Sequence, residues 1–171
     1  MGSTAQQVTM RNGLEKVEVF IWRVQTKRLH VKLELDKRGL DLHSVRCPNC
    51  DDDLESLEYA LVSFKHVKEI WIRVLKWWDL QITNTFSLVD LIGSSCSSPI
   101  RDLELWQALK WIVLYCIWKH RNKVVFQGKP WSAPMIFNEI QSISFLWIAN
   151  RAKGKDFEWL IWISKPSSYL T

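Results

Sequence analysis

Two thiols set two residues apart are the first chemistry the chain offers. Arg46-Cys47-Pro48-Asn49-Cys50-Asp51 is a Cys-Pro-x-Cys knuckle, and two thiolates at that spacing can hold one side of a tetrahedral Zn²⁺. A second ligand pair is then required. The nearest candidates are His43 and His66, which would give His-x3-Cys-x2-Cys-x15-His. That spacing is not a standard zinc pattern, and ligand geometry is demanding. The residues favour a zinc-free loop with two free thiols; zinc held by Cys47, Cys50, His43 and His66 is the alternative.

The second chemistry is cationic. Lys119, His120, Arg121 and Lys123, with Arg151, Lys153 and Lys155, are candidates for contact with RNA or DNA. Such side chains neutralise phosphates, with a salt-dependent affinity and little sequence preference. Trp118 or Trp159 would stack on bases if exposed. The competing reading is a solvated helix end whose cations suit the negative end of the dipole, with Arg121-Asn122 tying the helix to the next turn. Residues 1–90 carry 13 Lys/Arg and 13 Asp/Glu, while residues 91–171 carry 10 and 5, so the second half holds the whole net charge of +5. A mild positive field permits nucleic-acid binding without requiring it.

No catalytic constellation emerges. Asp51-Asp52-Asp53 is a run of carboxylates, but two-metal phosphoryl chemistry needs a pair placed around a transferred phosphate. The run reads as a helix N-terminus, where acidic residues are favoured. Asp102, Glu104, Glu139, Asp156 and Glu158 form no recognisable nuclease set. No glycine-rich phosphate loop and no nucleophile–base pair is present, so the chain is expected not to be an enzyme.

The elements that would position these groups are helical. Val17, Phe20, Ile21 and Val24 follow the i, i+3, i+4, i+7 rule, and Trp22 broadens their face. Leu29 to Asp36 alternates like a strand, yet it ends at Gly39, a natural residue just past a helix. Leu54, Leu57, Leu61, Phe64, Trp71, Val74, Leu75 and Trp78 line one face of a helix running to about Leu80. Residues 87–92 read as a short helix, and Ser94-Ser95-Cys96-Ser97-Ser98-Pro99 as a linker. Trp106 to Trp118 is a buried helix continuing to Gly128; at about 13 residues, with Gln107 and Lys110 inside, it is too short and too polar for a bilayer, which takes about 20. A further helix opens at Ser132 or Pro134. Phe157, Trp159 and Trp162 end the chain as an exposed aromatic patch suited to self-association.

In order, Lys16-Val17-Glu18-Val19-Phe20-Ile21-Trp22-Arg23, Arg28-Leu29, Arg38-Gly39, Cys47-Pro48-x-Cys50, Glu55-Ser56, Trp71 and Trp77-Trp78 resemble the reverse transcriptase zinc-binding domain of plant LINE-type retrotransposons. Trp118-Lys119-His120-Arg121-Asn122 and Phe126 resemble the signature that often follows it. The resemblance implies a helical fold and a parent with RNA-directed DNA polymerase activity, whose Tyr-x-Asp-Asp turn is absent here. It also implies that residues 30–38 are helix. The family's usual Leu-Pro-Thr is replaced by Leu29-His30-Val31, so the cap is lost and fraying is expected. The family's second ligand pair falls on Tyr59 and Phe64, neither of which is a zinc ligand of structural sites.

The expectation is therefore an all-α chain, a degenerate stand-alone remnant without catalysis. Residues 1–13 are expected to form a disordered leader, 14–80 the small helical domain around the knuckle, 81–104 a linker, and 105–171 a second group of buried aromatic-rich helices. Weak nonspecific binding of RNA or DNA is the expected activity, with a helical protein-interaction or structural module as the alternative. Four cysteines and no apolar signal core suggest an intracellular setting.

Overall fold

Val17, Phe20 and Val24 recur at helical spacing, and in the computed structural model they form the buried stripe of helix α1, residues 15–25. The structure describes residues 15–80, 87–92, 103–151 and 156–170. The leader, most of the linker including Cys96, and residues 152–155 lie outside them. The other helices are α2 (Lys32–Asp36), a π-helical turn (Tyr59–Ser63), α3 (Lys65–Trp77), α4 (Leu88–Ile92), α5 (Leu103–Gln127), α6 (Ala133–Arg151), α7 (Trp159–Ser164) and a closing 3₁₀ turn (Pro166–Leu170). No strand occurs among the described residues; the sole extended pairing among them is one antiparallel bridge, Arg46 to Leu54. The fold is all-α.

Helix α5 is the central rod. Leu105, Trp106, Leu109, Trp111, Ile112, Val113, Leu114, Cys116 and Ile117 are all buried, so it is apolar nearly all round, as a helix inside a core must be. Helices α6, α1 and the π-helical turn lie against it, and α3 packs on α6. Phe20 of α1 meets Tyr115 of α5 edge to face at 5.7 Å. One hydrophobic cluster runs from Phe20 to Trp162, so both halves of the chain share a core. No described helix is long and apolar enough to cross a membrane.

Three local features depart from the sequence pattern. The helix expected over 54–80 is broken. Asp51, Asp52 and Asp53 are exposed loop bends rather than a helix start, and Leu54 is exposed. The start falls on Ser56, whose hydroxyl accepts the Tyr59 N–H at 3.0 Å as an N-cap does. Phe64 then turns extended (φ −56°, ψ 133°) before α3 begins. The freed Leu61 carbonyl accepts the Trp71 indole N–H at 3.2 Å.

Trp22, expected on the inner face of α1, is 49% exposed. The C-terminal aromatics are divided: Trp162, expected in an exposed patch, is fully buried, ringed by Trp77, Trp78, Phe145 and Phe157 at centroid distances of 5.4–6.3 Å. Its indole N–H donates to the Gln141 carbonyl and Ser144 Oγ. Trp159, Leu160 and Ile161 keep partly exposed apolar surface.

Candidate functional site

The knuckle is closed by its own backbone and by one arginine. Cys47 N–H donates to Asp53 O (2.7 Å), Asp51 N–H to Cys47 O (2.9 Å) and Glu55 N–H to Val45 O (2.9 Å). Arg46 reaches inward and donates to the carbonyls of Asp51 and Asp52 at 3.0 and 3.2 Å. Asp51 takes a left-handed conformation (φ 57°) that makes the tight return possible, one that Asp tolerates better than most residues.

The two thiols sit in different surroundings. Burial pushes the Cys47 thiol up to about 11. At Cys50 burial acts the same way but is outweighed by hydrogen bonds, from the Tyr59 hydroxyl foremost, and its pKa is lowered. Cys50 Sγ and Tyr59 Oη lie 3.2 Å apart. That contact raises the Tyr59 pKa in turn, so the phenol keeps its proton and is able to donate it to a Cys50 thiolate.

Zinc needs about four ligands with deprotonated sulfurs, and these residues do not fit it. No group of three or more His, Cys, Asp or Glu that could hold a metal forms among the described residues. His43 is exposed in the preceding loop. His66 stacks on Phe64 (5.2 Å) and Trp131 (6.4 Å) at the start of α3. Phe64 itself is buried and packs edge to face on Trp131 at 5.9 Å. The Tyr59 hydroxyl stands beside Cys50, and the Tyr59 ring in turn packs on Phe64 at 5.8 Å.

Directly after the knuckle stands Glu55, fully buried. Its carboxylate accepts two hydrogen bonds from the Arg121 guanidinium, Nε at 2.7 Å and Nη2 at 2.6 Å. Oε2 also accepts the Lys32 N–H at 2.9 Å, and the Glu55 carbonyl accepts the Leu33 N–H at 3.2 Å. Val31, which precedes α2, offers no side-chain cap. The start of α2, expected to fray, is therefore satisfied by a residue from a distant loop. Arg121 also lies 4.9 Å over the Trp118 ring. One buried carboxylate thus joins α2, the knuckle and α5.

The neighbouring cations of α5 turn to a second carboxylate. Glu139 on α6 binds His120 Nε2 at 2.6 Å, pairs with the Lys119 ammonium, and lies 4.0 Å from Lys123 Nζ. The His120 hydrogen bond leads in lowering the Glu139 pKa to about 2, against the effect of burial. Lys119 remains 40% and Lys123 30% exposed. Lys153, Lys155 and the side chain of Arg151 lie outside the described residues. Of the seven basic candidates, Arg121 and His120 are thus buried and tied internally, while Lys119 and Lys123 reach solvent from a shared carboxylate.

Sequence reasoning passed over Glu55 and Glu139. Glu55 and Arg121 are 66 residues apart, and no periodicity links such a pair. The available signal was chemical: a glutamate at the start of one apolar segment and the single arginine of the most apolar helix.

Residues 4–71 match the family model described as zinc-binding in reverse transcriptase. No curated protein and no solved structure matches the chain.

Proposed function

We propose that the chain is a metal-independent, non-catalytic nucleic-acid-binding module, a reading that starts from the match of residues 4–71 to the family model described as zinc-binding in reverse transcriptase. The observation that carries metal independence is the Glu55–Arg121 pair. It supplies, between the knuckle and α5, the kind of cross-link that a bound ion supplies in a closed zinc site. Tyr59 and Phe64 support descent from a zinc-binding ancestor of the plant LINE type, because they stand where its remaining ligands are expected. Absence of a Tyr-x-Asp-Asp sequence supports a role without polymerase chemistry.

Binding to RNA or DNA is supported by charge. Lys119, Arg121 and Lys123 face two carboxylates, Glu55 and Glu139, which leaves one positive charge in surplus on the partly exposed pair Lys119 and Lys123. Contacts of this kind are phosphate contacts, without base readout. A gel shift of chelator-treated protein on labelled RNA tests the reading: binding at low salt that fades steeply with added salt is expected, and no shift at low salt refutes it.

A second reading, self-association, is favoured by the exposed run Trp159, Leu160 and Ile161. Light scattering across a concentration series in high salt decides it: oligomers that persist there support this reading, and a monomer throughout excludes it.

A further inference from the structure

A second cationic surface lies at the C-terminal end of α1, next to the cations of α5: Arg23 lines both a pocket there and a neighbouring one with Trp118 and Lys119. Trp22, Arg23, Lys27, Arg28, His30 and Arg38 line an open pocket of about 580 Å³ between the end of α1 and the end of α2, and no acidic residue lines it. All six are exposed. None of the four Lys/Arg forms an ion pair with a described residue, unlike Lys119, Arg121 and Lys123. Glu34, the carboxylate of neighbouring α2, is taken up by Lys37 at 2.8 Å.

A helix C-terminus ordinarily repels anions because its last carbonyls are unsatisfied. Here they are occupied. Trp22 O accepts Thr26 Oγ1 at 2.7 Å, Arg23 O accepts the Arg28 N–H at 2.7 Å, Val24 O accepts the Lys27 N–H at 3.1 Å, and Lys27 O accepts the Arg38 guanidinium. Lys27, at φ 53°, makes the reversal that brings Arg28 back over α1. The Arg28 guanidinium then lies 5.0 Å over the half-exposed Trp22 ring, so a flat cation and a flat indole stand together beside the cationic pocket.

We propose that this α1–α2 pocket is the principal contact for single-stranded nucleic acid, with Arg23, Lys27 and Arg38 on successive phosphates and the Trp22–Arg28 stack against an unpaired base. The chemistry fits: phosphates want unpaired cations, and bases in single strands stack on aromatic and guanidinium planes. A duplex hides its base faces and uses only the phosphate contacts. The inference rests on the nucleic-acid reading above and names the surface that serves it.

The test is fluorescence anisotropy of the full chain with labelled single-stranded poly-uridine RNA over a salt series. R23E/R28E should weaken binding at low salt by about tenfold or more, and flatten the slope of log K against log salt by about 0.7, the value for the one phosphate contact, that of Arg23, lost on a single strand. R23K/R28K should retain the slope and lose part of the affinity, since lysine keeps charge but stacks poorly. K119E/K123E should also weaken binding, but by less than R23E/R28E does, because Glu139 already draws on both lysines. If the parent binds RNA and R23E/R28E binds equally well, the pocket assignment is wrong and the broader reading stands. If the parent binds no RNA at low salt, both fail. Tighter binding to phosphatidylserine vesicles than to RNA also overturns the assignment, because it makes the pocket a lipid-headgroup site. Both arginines are exposed, and circular dichroism checks that the variants stay folded.

Discussion

Glu55 and Arg121 meet as a two-bonded ion pair at 2.7 and 2.6 Å, both almost wholly excluded from solvent. Placing two charges in a core has a desolvation cost that only close geometry and full hydrogen bonding offset. Here the carboxylate is saturated by Arg121 and the Lys32 N–H. Arg121 also bonds Asn122 Oδ1 and covers the Trp118 ring. The pair is therefore a specific linker of two segments.

Breaking it from either side leaves an uncompensated buried charge. Arg121→Ala and Glu55→Ala are each expected to destabilise by about 3–5 kcal/mol. A urea-denaturation double-mutant cycle should show strong coupling, with the double variant less destabilised than the two single losses combined. Additive losses would mean that the two side chains act independently.

Glu139 gives an acid signature. Its pKa falls from 4.5 to about 2 on folding, led by the His120 hydrogen bond. A carboxylate depressed in the folded state stabilises above its unfolded pKa, and that contribution is lost as pH drops through the folded one. Stability is expected to decline by about 2 kcal/mol between pH 4.5 and 2. Glu139→Gln should remove that part of the slope, as read from urea midpoints at a series of pH values.

The Tyr59 hydroxyl should govern thiol reactivity. Tyr59→Phe removes the hydrogen bond to Cys50 at 3.2 Å, so the Cys50 pKa should rise and its alkylation at mildly alkaline pH should slow. Cys47, raised to about 11 by burial, should react slowly in both proteins, since the thiolate is the nucleophile. Mass-spectrometric mapping of iodoacetamide adducts distinguishes the two sites.

Trp162 is the keystone of the aromatic cluster. It is fully buried, with its indole N–H satisfied by Gln141 and Ser144. Trp162→Ala should cost about 3–5 kcal/mol, whereas the partly exposed Trp159 should tolerate alanine with a small loss. Thermal denaturation of the two variants checks the contrast.

Helix α5, the inner faces of α1 and α3, and the turn after Gly39 were legible in the sequence, because apolar spacing and glycine placement are local signals. Burial of Trp162 was not, since a short terminal segment with five apolar residues in a row, Trp159 to Ile163, has no periodicity to say which face is covered. The break at Phe64 was hidden for the opposite reason: the apolar rhythm of Leu61, Phe64, Val67 and Trp71 continues across it. At the site, Cys47, Cys50 and the cations of α5 stood out by type. Their partners Glu55 and Glu139 did not, because ion pairs between distant segments leave no spacing to read.

Unfolding of the full chain, followed by circular dichroism before and after exhaustive chelation and paired with zinc analysis of the purified protein, tests metal independence most directly. An unchanged midpoint and zinc well below stoichiometric are expected. One equivalent of zinc, lost in Cys47→Ser and in His66→Ala, with unfolding on chelation, would contradict it.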